Sequence, residues 1–315
     1  MTCRKANEQP LVSVIVPAFN RAGIIRDTIA NIFEQTYKNI ELIVVDDGST
    51  DDTAEILKSY GSRLRWAVQK NAGPSAARNR GVTMAKGEII AFQDSDDTWH
   101  PSKIARQVSL LVRGGESIVC CICNCTVEMA GRTVSSFENA PMDPPMEEGI
   151  WLNPAQVLIT RFILFNQVAA IRRNVLERIG GFDESFRLLE DMDLALRLAL
   201  EGPWAFIREP LATRQDKLPL TLQDEATPKI VSENELRIRE KIFRIVESKK
   251  SLASLLPMMK RELAAAARRA RAVRMRNTKK IGPSLLGWSI QRWEHYRMAV
   301  YRRTPRHTKM KVERA

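Results

Sequence analysis

The sequence lacks the long apolar run of a membrane-spanning helix and the clustered histidines of a histidine-based metal site. Its longest nearly uncharged stretch, 162–171, is far shorter than the roughly 20 apolar residues that a membrane-spanning helix needs. Only three histidines occur in 315 residues, and none has neighbours that suggest catalysis or metal binding. The run Leu11–Phe19 follows two basic residues, as in a signal peptide, but it lacks a small-residue cleavage site and favours a strand. We therefore expect a cytoplasmic protein.

Cysteine is also scarce, and four of the five cysteines are crowded together as Cys120, Cys121, Cys123 and Cys125. Thiols so close in the chain cannot form a long-range disulfide framework, and their spacing lacks the paired Cys-x2-Cys modules of a zinc site. Because side chains alternate along a strand, three of the four would share one face. The pattern favours a buried strand in a reducing compartment over a metal cluster.

Charge is unevenly distributed along the chain. The formal net charge is +12, but residues 227–315 hold 24 Lys and Arg against 7 Glu, which leaves 25 basic and 30 acidic residues before them. A mildly acidic body is therefore followed by a strongly basic extension. Residues 1–226 and 227–315 are predicted to be two parts of the protein, the second mainly helical.

Strand and helix signals alternate over the first hundred residues. Apolar, β-branched runs at Leu11–Pro17, Ile40–Val45 and Glu88–Gln93 are typical of buried strands, and helical periodicity separates them. Strands are also predicted at Leu64–Gln69 and Asn166–Arg172. This order predicts an α/β fold with a mostly parallel, Rossmann-like sheet and helices on both faces. A dinucleotide-binding dehydrogenase is set aside because no Gly-x-Gly-x-x-Gly follows the first strand.

Acidic residues follow the predicted strands, at the sheet edge where α/β proteins bind ligands. Five carboxylates in this position would repel one another unless a cation or a donor-rich ligand joins them; they are Asp46, Asp47, Asp94, Asp96 and Asp97. Mg²⁺ or Mn²⁺ bound by one or two carboxylates and substrate phosphates fits the pattern. Two alternatives stay open, because Asp47 is also a plausible turn residue and Asp97 a plausible helix cap near Pro101.

A series of ordered blocks between residues 10 and 210 resembles glycosyltransferase family 2, which has the GT-A fold. The blocks read VSVIVPAFNR, IELIVVDDGSTDDT, NAGPSAARNRG, GEIIAFQDSDD, GGFDE and LEDMDLALR. The resemblance implies an inverting transfer of a sugar from a nucleotide-diphosphate donor to an acceptor hydroxyl. It also implies where the nucleotide binds: Pro17 and Phe19 against the base, Asp47 accepting from an imide N–H of uracil or thymine, and Arg78 near the phosphates.

The same resemblance assigns the metal and the base. Asp94-Ser95-Asp96 matches the Asp-x-Asp motif, with Asp94 and Ser95 toward the donor and Asp96 on a Mn²⁺ or Mg²⁺ ion. Asp191 matches the general base, although Glu190 and Asp191 are also typical acids of a first helical turn. Gly180 and Gly181 would let the backbone approach the sugar closely.

Two departures from the family pattern bear on the acceptor. Met192 stands where an aromatic residue often follows the Glu-Asp pair, and the Gln-x-x-Arg-Trp motif of processive synthases is missing its spacer at 291–293. A non-processive enzyme acting on a glycan or lipid-linked acceptor in cell-surface polysaccharide or glycolipid synthesis is therefore expected. The alternative is a non-catalytic nucleotide-sugar-binding or scaffold protein on the same fold.

The basic extension interleaves Arg with aromatic and aliphatic residues over 260–303. Such a pattern suits an amphipathic helix at an anionic lipid surface, and we predict peripheral attachment to the inner face of the cell membrane. A simply solvated extension is the competing interpretation. Nucleic acid is not the expected partner, because no known binding module is visible.

Overall fold

The computed structural model describes residues 9–129, 132–140, 142–161, 165–215, 227–278 and 309–315. The strands within these residues are β1 (Val12–Ala18), β2 (Ile40–Asp46), β3 (Arg65–Val68), β4 (Ile89–Phe92), β5 (Thr98–Trp99), β6 (Cys120–Met129), β7 (Arg132–Ser135), β8 (Glu148–Trp151), β9 (Ala169–Arg172), β10 (Trp204–Gln215) and β11 (Val312–Glu313). They form one sheet in the order β11-β8-β10-β6-β9-β4-β1-β2-β3, with β5 added to β10 and β7 to β6.

Helices connect most of these strands. The α-helices are α1 (Ile25–Phe33), α2 (Thr53–Ser59), α3 (Pro74–Met84), α4 (Lys103–Arg113), α5 (Ser136–Asn139), α6 (Pro154–Leu158), α7 (Arg173–Arg178), α8 (Glu190–Ala199), α9 (Thr227–Ser248) and α10 (Leu256–Thr278).

The first half of the sheet is parallel. β1 lies between β2 and β4 and pairs with both in parallel, and β3 continues this arrangement beyond β2. Val14 and Ile15 point to opposite faces of β1 and both are fully buried, because helices cover both faces. The predicted α/β class and the predicted strands β1, β2, β3 and β4 are confirmed.

The second half of the sheet is mixed. β9 runs antiparallel to β4 and β6, whereas β6 and β10 are parallel. The predicted strand Asn166–Arg172 is only partly correct, since Asn166–Val168 is a 3-10 turn and the strand begins at Ala169. The sequence did not reveal β8, which pairs antiparallel with β10 in the same sheet.

The cysteine-rich segment forms the buried strand β6, as predicted. Cys120, Cys121, Cys123 and Cys125 are free thiols and are fully buried. Burial raises the pKa of each thiol, that of Cys125 to about 12, so the thiols stay protonated and unreactive. No group of three or more His, Cys, Asp or Glu that could hold a metal is present in the described part of the chain.

The first two helices of the basic extension pack against the body. Ile238, Ile242 and Val246 of α9 are fully buried in the same apolar core as the sheet, and α10 buries Met259 and Ala266. The boundary at residue 227 stays a prediction, but α9 shares the core of the preceding residues. At the C-terminal end, β11 pairs with β8, so this end is a strand rather than a helix. Among the described helices, none combines the length and the apolar character needed to cross a membrane.

Candidate functional site

The carboxyl ends of three adjacent parallel strands place the predicted site on one edge of the sheet. β4, β1 and β2 are neighbours, so the segments that follow them lie side by side. The Asn20 amide donates to Ser49 Oγ at 2.8 Å, and Arg21 Nε donates to Ser95 Oγ at 2.8 Å. These hydrogen bonds join the segment after β1 to the segments after β2 and β4. Ser95 is thus brought to the edge as predicted.

The segment after β1 is held in an uncommon backbone conformation. Asn20 has φ of +53°, which is left-handed, and its side-chain oxygen accepts from the Thr50 amide at 2.8 Å. Such a conformation costs free energy and persists where surrounding contacts impose it, often at functional sites. Next to it, Phe19 exposes 43% of its surface although it is aromatic, and Pro17 is half-buried. An exposed ring beside a constrained loop is a surface on which a flat ligand can stack.

Asp47 serves the fold directly. Its carboxylate accepts from Gln69 Nε2 at 2.8 Å, from the Ala72 amide at 2.9 Å and from the Gly73 amide at 2.8 Å. These donors belong to the loop that leads into α3, so Asp47 fixes the start of that helix. A carboxylate has about four acceptor positions, and Asp47 therefore retains capacity for one further donor.

Asp46 is likewise turned toward backbone. Its Oδ1 accepts from the Ser49 amide at 2.9 Å, while Oδ2 is buried without a hydrogen-bond partner. Amide donors of the adjoining loops therefore bind Asp47 and one oxygen of Asp46, while a ligand shared by the five carboxylates stays a prediction. The capping alternative for Asp97 is wrong: α4 begins at Lys103 after Ser102, without a side-chain cap.

Arg78 connects the strand-end site to α8. Its Nη2 donates to Asp94 Oδ1 at 2.6 Å and its Nη1 to Glu190 Oε1 at 3.2 Å. The side chain is buried, lies 5.3 Å from the Phe182 ring centroid, and keeps an unpaired Nε. The two carboxylates raise the pKa of this guanidinium above its ordinary value despite burial. Arg78 thus neutralises two acids that would otherwise repel each other, which places the predicted motif beside the Glu190-Asp191 pair.

The ionised form of the Asp96 carboxyl is in an unfavourable environment at this edge. Burial, and then the charge of Asp94, raises the pKa of the Asp96 carboxyl, while Arg21 and Arg214 lower it. A carboxylate that is partly desolvated next to a second carboxylate is stabilised by an added cation. Mg²⁺ and Mn²⁺ need only one or two protein carboxylates when substrate phosphates supply other ligands. The residues present therefore fit a divalent ion on Asp96.

The predicted base lies at the start of α8, after a strained residue. Leu189 precedes the helix with φ of +66°, and Asp191 Oδ1 accepts from the Met192 amide at 2.9 Å. A left-handed leucine is unfavourable by about 1–2 kcal/mol. Leu189 and Asn20 are the non-glycine residues with positive φ in the described ranges, and both flank this site.

The two glycines before Phe182 allow a close contact with α3. Gly181 has φ of +64°, and a Cβ there would meet Asn79 Oδ1 at 2.6 Å. Asn79 Oδ1 accepts from the Phe182 amide at 2.8 Å, and its Nδ2 donates to the Phe182 carbonyl at 2.9 Å. The glycines thus hold the segment leading to α8 against the helix that carries Arg78. The backbone approach to a sugar stays a prediction.

Three residues of this site were missed by sequence reasoning. Arg21 lies in the block VSVIVPAFNR, two residues after Phe19, and Asn79 lies in the block NAGPSAARNRG, next to Arg78. Their position beside predicted site residues is the signal by which the sequence indicates them. Arg214 lies near the end of β10, more than a hundred residues after Asp96, and nothing in its sequence surroundings indicates the proximity.

Comparison with known proteins identifies the fold. A crystal structure of S. aureus TarS 1–349 in complex with UDP-GlcNAc matches with a TM-score of 0.63 at 19% identity, covering 82% of this chain and 72% of that chain. The fold is therefore the GT-A fold of glycosyltransferases. The Glycosyl transferase family 2 profile matches residues 13–179. The chain belongs to this family.

Curated relatives match over part of the chain. A Rickettsia prowazekii protein described as an uncharacterized glycosyltransferase is 32% identical over 185 residues, 59% of this chain and 57% of that protein. WfaP of Escherichia coli, a UDP-Glc:alpha-D-GlcNAc-diphosphoundecaprenol beta-1,3-glucosyltransferase, is 42% identical over 103 residues, 32% of this chain and 41% of that protein. The chain thus spans 57% of the length of the first relative and 41% of the length of the second.

Proposed function

We propose that the protein is an inverting, non-processive glycosyltransferase that transfers a sugar from a nucleotide-diphosphate donor to an acceptor hydroxyl. The bridge from Asp94 through Arg78 to Glu190 carries this proposal, with distances of 2.6 and 3.2 Å. It unites the Asp-x-Asp motif with the start of α8, where Asp191 lies. A donor-binding acid and a proton-accepting acid on one edge are what a direct displacement requires.

The nucleotide is proposed to bind along the segments after β1 and β2. The exposed ring of Phe19, with Pro17, supplies a stacking surface for the base, and the remaining acceptor capacity of Asp47 suits an imide N–H. Uracil, or thymine, is the base that this pairing favours. The UDP-GlcNAc bound by TarS and the UDP-Glc named for WfaP support a UDP-sugar.

The diphosphate is proposed to lie over Asp94, Ser95 and Asp96. Asp96 would hold Mn²⁺ or Mg²⁺, which when bound neutralises charge that develops on the leaving phosphates. Arg21 and Arg214 add positive charge beside Asp96. Arg78 already donates to two carboxylates through its terminal nitrogens, so we assign it mainly to orienting Asp94 and Glu190, while its buried Nε has no hydrogen-bond partner.

Asp191 is proposed to accept the proton of the attacking hydroxyl. An alcohol is a weak nucleophile, and a positioned carboxylate that removes its proton accelerates attack by about 10²- to 10⁴-fold. Attack from the side opposite the diphosphate would invert the anomeric centre. Leu189 and the Asn79 contacts to Phe182 restrict the backbone around α8, so the carboxylate is held in place before substrate arrives.

The acceptor is proposed to be a glycan or lipid-linked sugar in cell-surface polysaccharide or glycolipid synthesis, at the inner face of the cell membrane. The diphosphoundecaprenol acceptor named for WfaP supports this class. The predicted membrane segment, 260–303, lies only partly within the described residues. In its described part, α10 turns Ala266 and Ala270 into the protein and exposes Arg268 and Arg271, so lipid contact there would rest on charge.

Release of UDP from UDP-glucose and UDP-GlcNAc, with Mn²⁺ and with water as acceptor, tests the proposal. Asp191→Asn should lower turnover by about 10²- to 10⁴-fold and leave the donor Kd unchanged. Asp143→Asn is the matched control, because the Asp143 side chain is 92% exposed, and it should behave as wild type. Donor binding without turnover in the wild-type protein would favour the non-catalytic alternative.

A further inference from the structure

A second feature of the protein is a groove along α9. It has a volume of about 490 Å³ and is lined by Arg237, Glu240, Lys241, Arg244 and Ile245. Residues separated by three, four and seven positions lie on one side of a helix. The groove is therefore formed by one continuous face of α9, and three of its five side chains are basic.

Of the three basic side chains, Lys241 forms ion pairs with residues outside α9. Lys241 Nζ donates to Asp183 Oδ2 at 2.8 Å and lies 2.9 Å from Asp193 Oδ1. Arg237 and Arg244, by contrast, form no ion pair within the described residues, and both side chains are exposed. Glu240 is the acid among the lining residues and offsets one of the two charges. The lining residues thus carry three basic side chains against one acid, a positive excess.

Arg237 is also held in a fixed orientation. Its guanidinium lies 4.8 Å from the centroid of the Phe186 ring; Nη2 donates to Ser185 Oγ at 3.1 Å and Nη1 to Asn234 Oδ1 at 3.5 Å. These two bonds use two of the five N–H groups of a guanidinium, and the others can donate to a planar or tetrahedral anion. Arg244 is seven residues further, about 10 Å along the helix axis, a distance that two long side chains can close around one anionic group.

The groove adjoins the segment that ends at the proposed base. Besides the contact of Arg237 with Ser185, Asn234 Nδ2 donates to the Leu188 carbonyl at 3.1 Å. α9 therefore supports residues 185–188, and Asp191 follows three residues later. An acceptor that reaches Asp191 across residues 185–188 would therefore meet the groove.

We propose that the groove binds a phosphate or diphosphate ester on the acceptor, with Arg237 and Arg244 as its ligands. The inference rests on the proposed transferase function, since it concerns the acceptor of that reaction. It assigns the acceptor a charged, carrier-linked end rather than a neutral glycan end. Ile245 supplies an apolar contact beside the anion for the carrier.

Calorimetric binding of geranyl diphosphate to the full chain, with UDP and Mn²⁺ saturating, tests this site. Geraniol, which has the same hydrocarbon chain without the diphosphate, is the uncharged control ligand. Arg237→Gln/Arg244→Gln should raise the Kd for geranyl diphosphate about tenfold or more, as expected for loss of contacts to a charged group. Arg268→Gln/Arg271→Gln removes the same charge from exposed positions of α10 and should change the Kd less than twofold.

Three results would overturn the proposal: equal effects of the two double variants, equal binding of geraniol, or no binding of geranyl diphosphate to the wild type. Sedimentation with phosphatidylglycerol vesicles separates a lipid surface from a carrier-linked phosphate. Loss of vesicle binding in Arg237→Gln/Arg244→Gln, without any geranyl diphosphate binding, would assign the groove to the membrane instead. UDP binding measured in the same samples reports separately on the donor site, so failure of the groove and failure of the transferase proposal are distinguishable.

Discussion

Arg78 donates to Glu190, which follows it by 112 residues, across 3.2 Å. This contact joins α3 to the first residue of α8, and the same guanidinium reaches Asp94 at the end of β4. Neither neighbour is close to Arg78 in the chain. The relative positions of the Asp-x-Asp motif and the proposed base therefore depend on one buried side chain.

Replacing Arg78 should destabilise the fold as well as the site. Arg78→Gln leaves Asp94 and Glu190 without a counter-charge, and breaking a buried pair in this way costs about 3–5 kcal/mol. Arg78→Lys retains the charge but cannot donate to two carboxylates in the same planar geometry, so an intermediate loss is expected. Urea unfolding at pH 7 measures both values.

The matched control is Arg178→Gln. Arg178 also pairs with an acid, Glu201, at 3.1 Å, but its side chain is 55% exposed. Exposed pairs contribute up to about 1 kcal/mol. A loss in Arg78→Gln no larger than that in Arg178→Gln would contradict the role given to the buried bridge.

Leu189 provides a test of the strained backbone before α8. Because φ is +66°, glycine should fit this position better than alanine, by about 1 kcal/mol of unfolding free energy. Both variants lose the leucine side chain, so their difference isolates the backbone. At Leu200, where φ is −79°, the order should reverse, with alanine more stable than glycine. Alanine more stable than glycine at both positions would show that Leu189 is not constrained in solution.

Lys103 should give the protein a measurable pH dependence. The side chain is fully buried, with Nζ 3.7 Å from the Trp99 ring centroid and 3.0 Å from Gln107 Oε1. Burial lowers the pKa of Lys103 from 10.5 to about 8. Between these pH values the unfolded chain binds the proton and the folded chain does not, so stability contributed by this group rises with pH.

The comparison of wild type with Lys103→Met isolates this contribution. Urea unfolding from pH 7 to 11 in reducing buffer should show wild type gaining about 3 kcal/mol relative to the variant. Lys260→Met, which alters an exposed lysine of α10, should show no such change. A constant difference between wild type and Lys103→Met across the pH range would mean that Lys103 keeps an ordinary pKa.

The strands of the parallel half were predictable because their signal is local. Buried parallel strands are continuous apolar runs, and Pro74 marks the start of α3 as an N-terminal proline should. The recognised blocks follow the same strands, so the residues of the Asp-x-Asp motif and the Glu190-Asp191 pair could be selected from the sequence. Their roles remain predictions until tested.

The remaining parts depend on contacts between distant segments. The order of β6, β9 and β10 requires antiparallel and parallel pairing that no short pattern encodes. The proximity of Arg214 to Asp96 also joins segments that are far apart in the chain, and no short pattern encodes it. The partners of Asp47 lie in the loop before α3, so an acid that looks like a ligand in the sequence proves to fix the backbone too.

Thermal unfolding with UDP, TDP, GDP and CDP, each with and without Mn²⁺, tests the donor site most directly. A ligand at a hundred times its Kd stabilises the fold by about 2.7 kcal/mol. UDP or TDP should stabilise the wild-type protein and the Asp143→Ala control only when Mn²⁺ is present, and Asp96→Ala should abolish the effect. Absence of stabilisation by any nucleotide, or an undiminished effect in Asp96→Ala, would contradict the proposed metal-dependent nucleotide-sugar site.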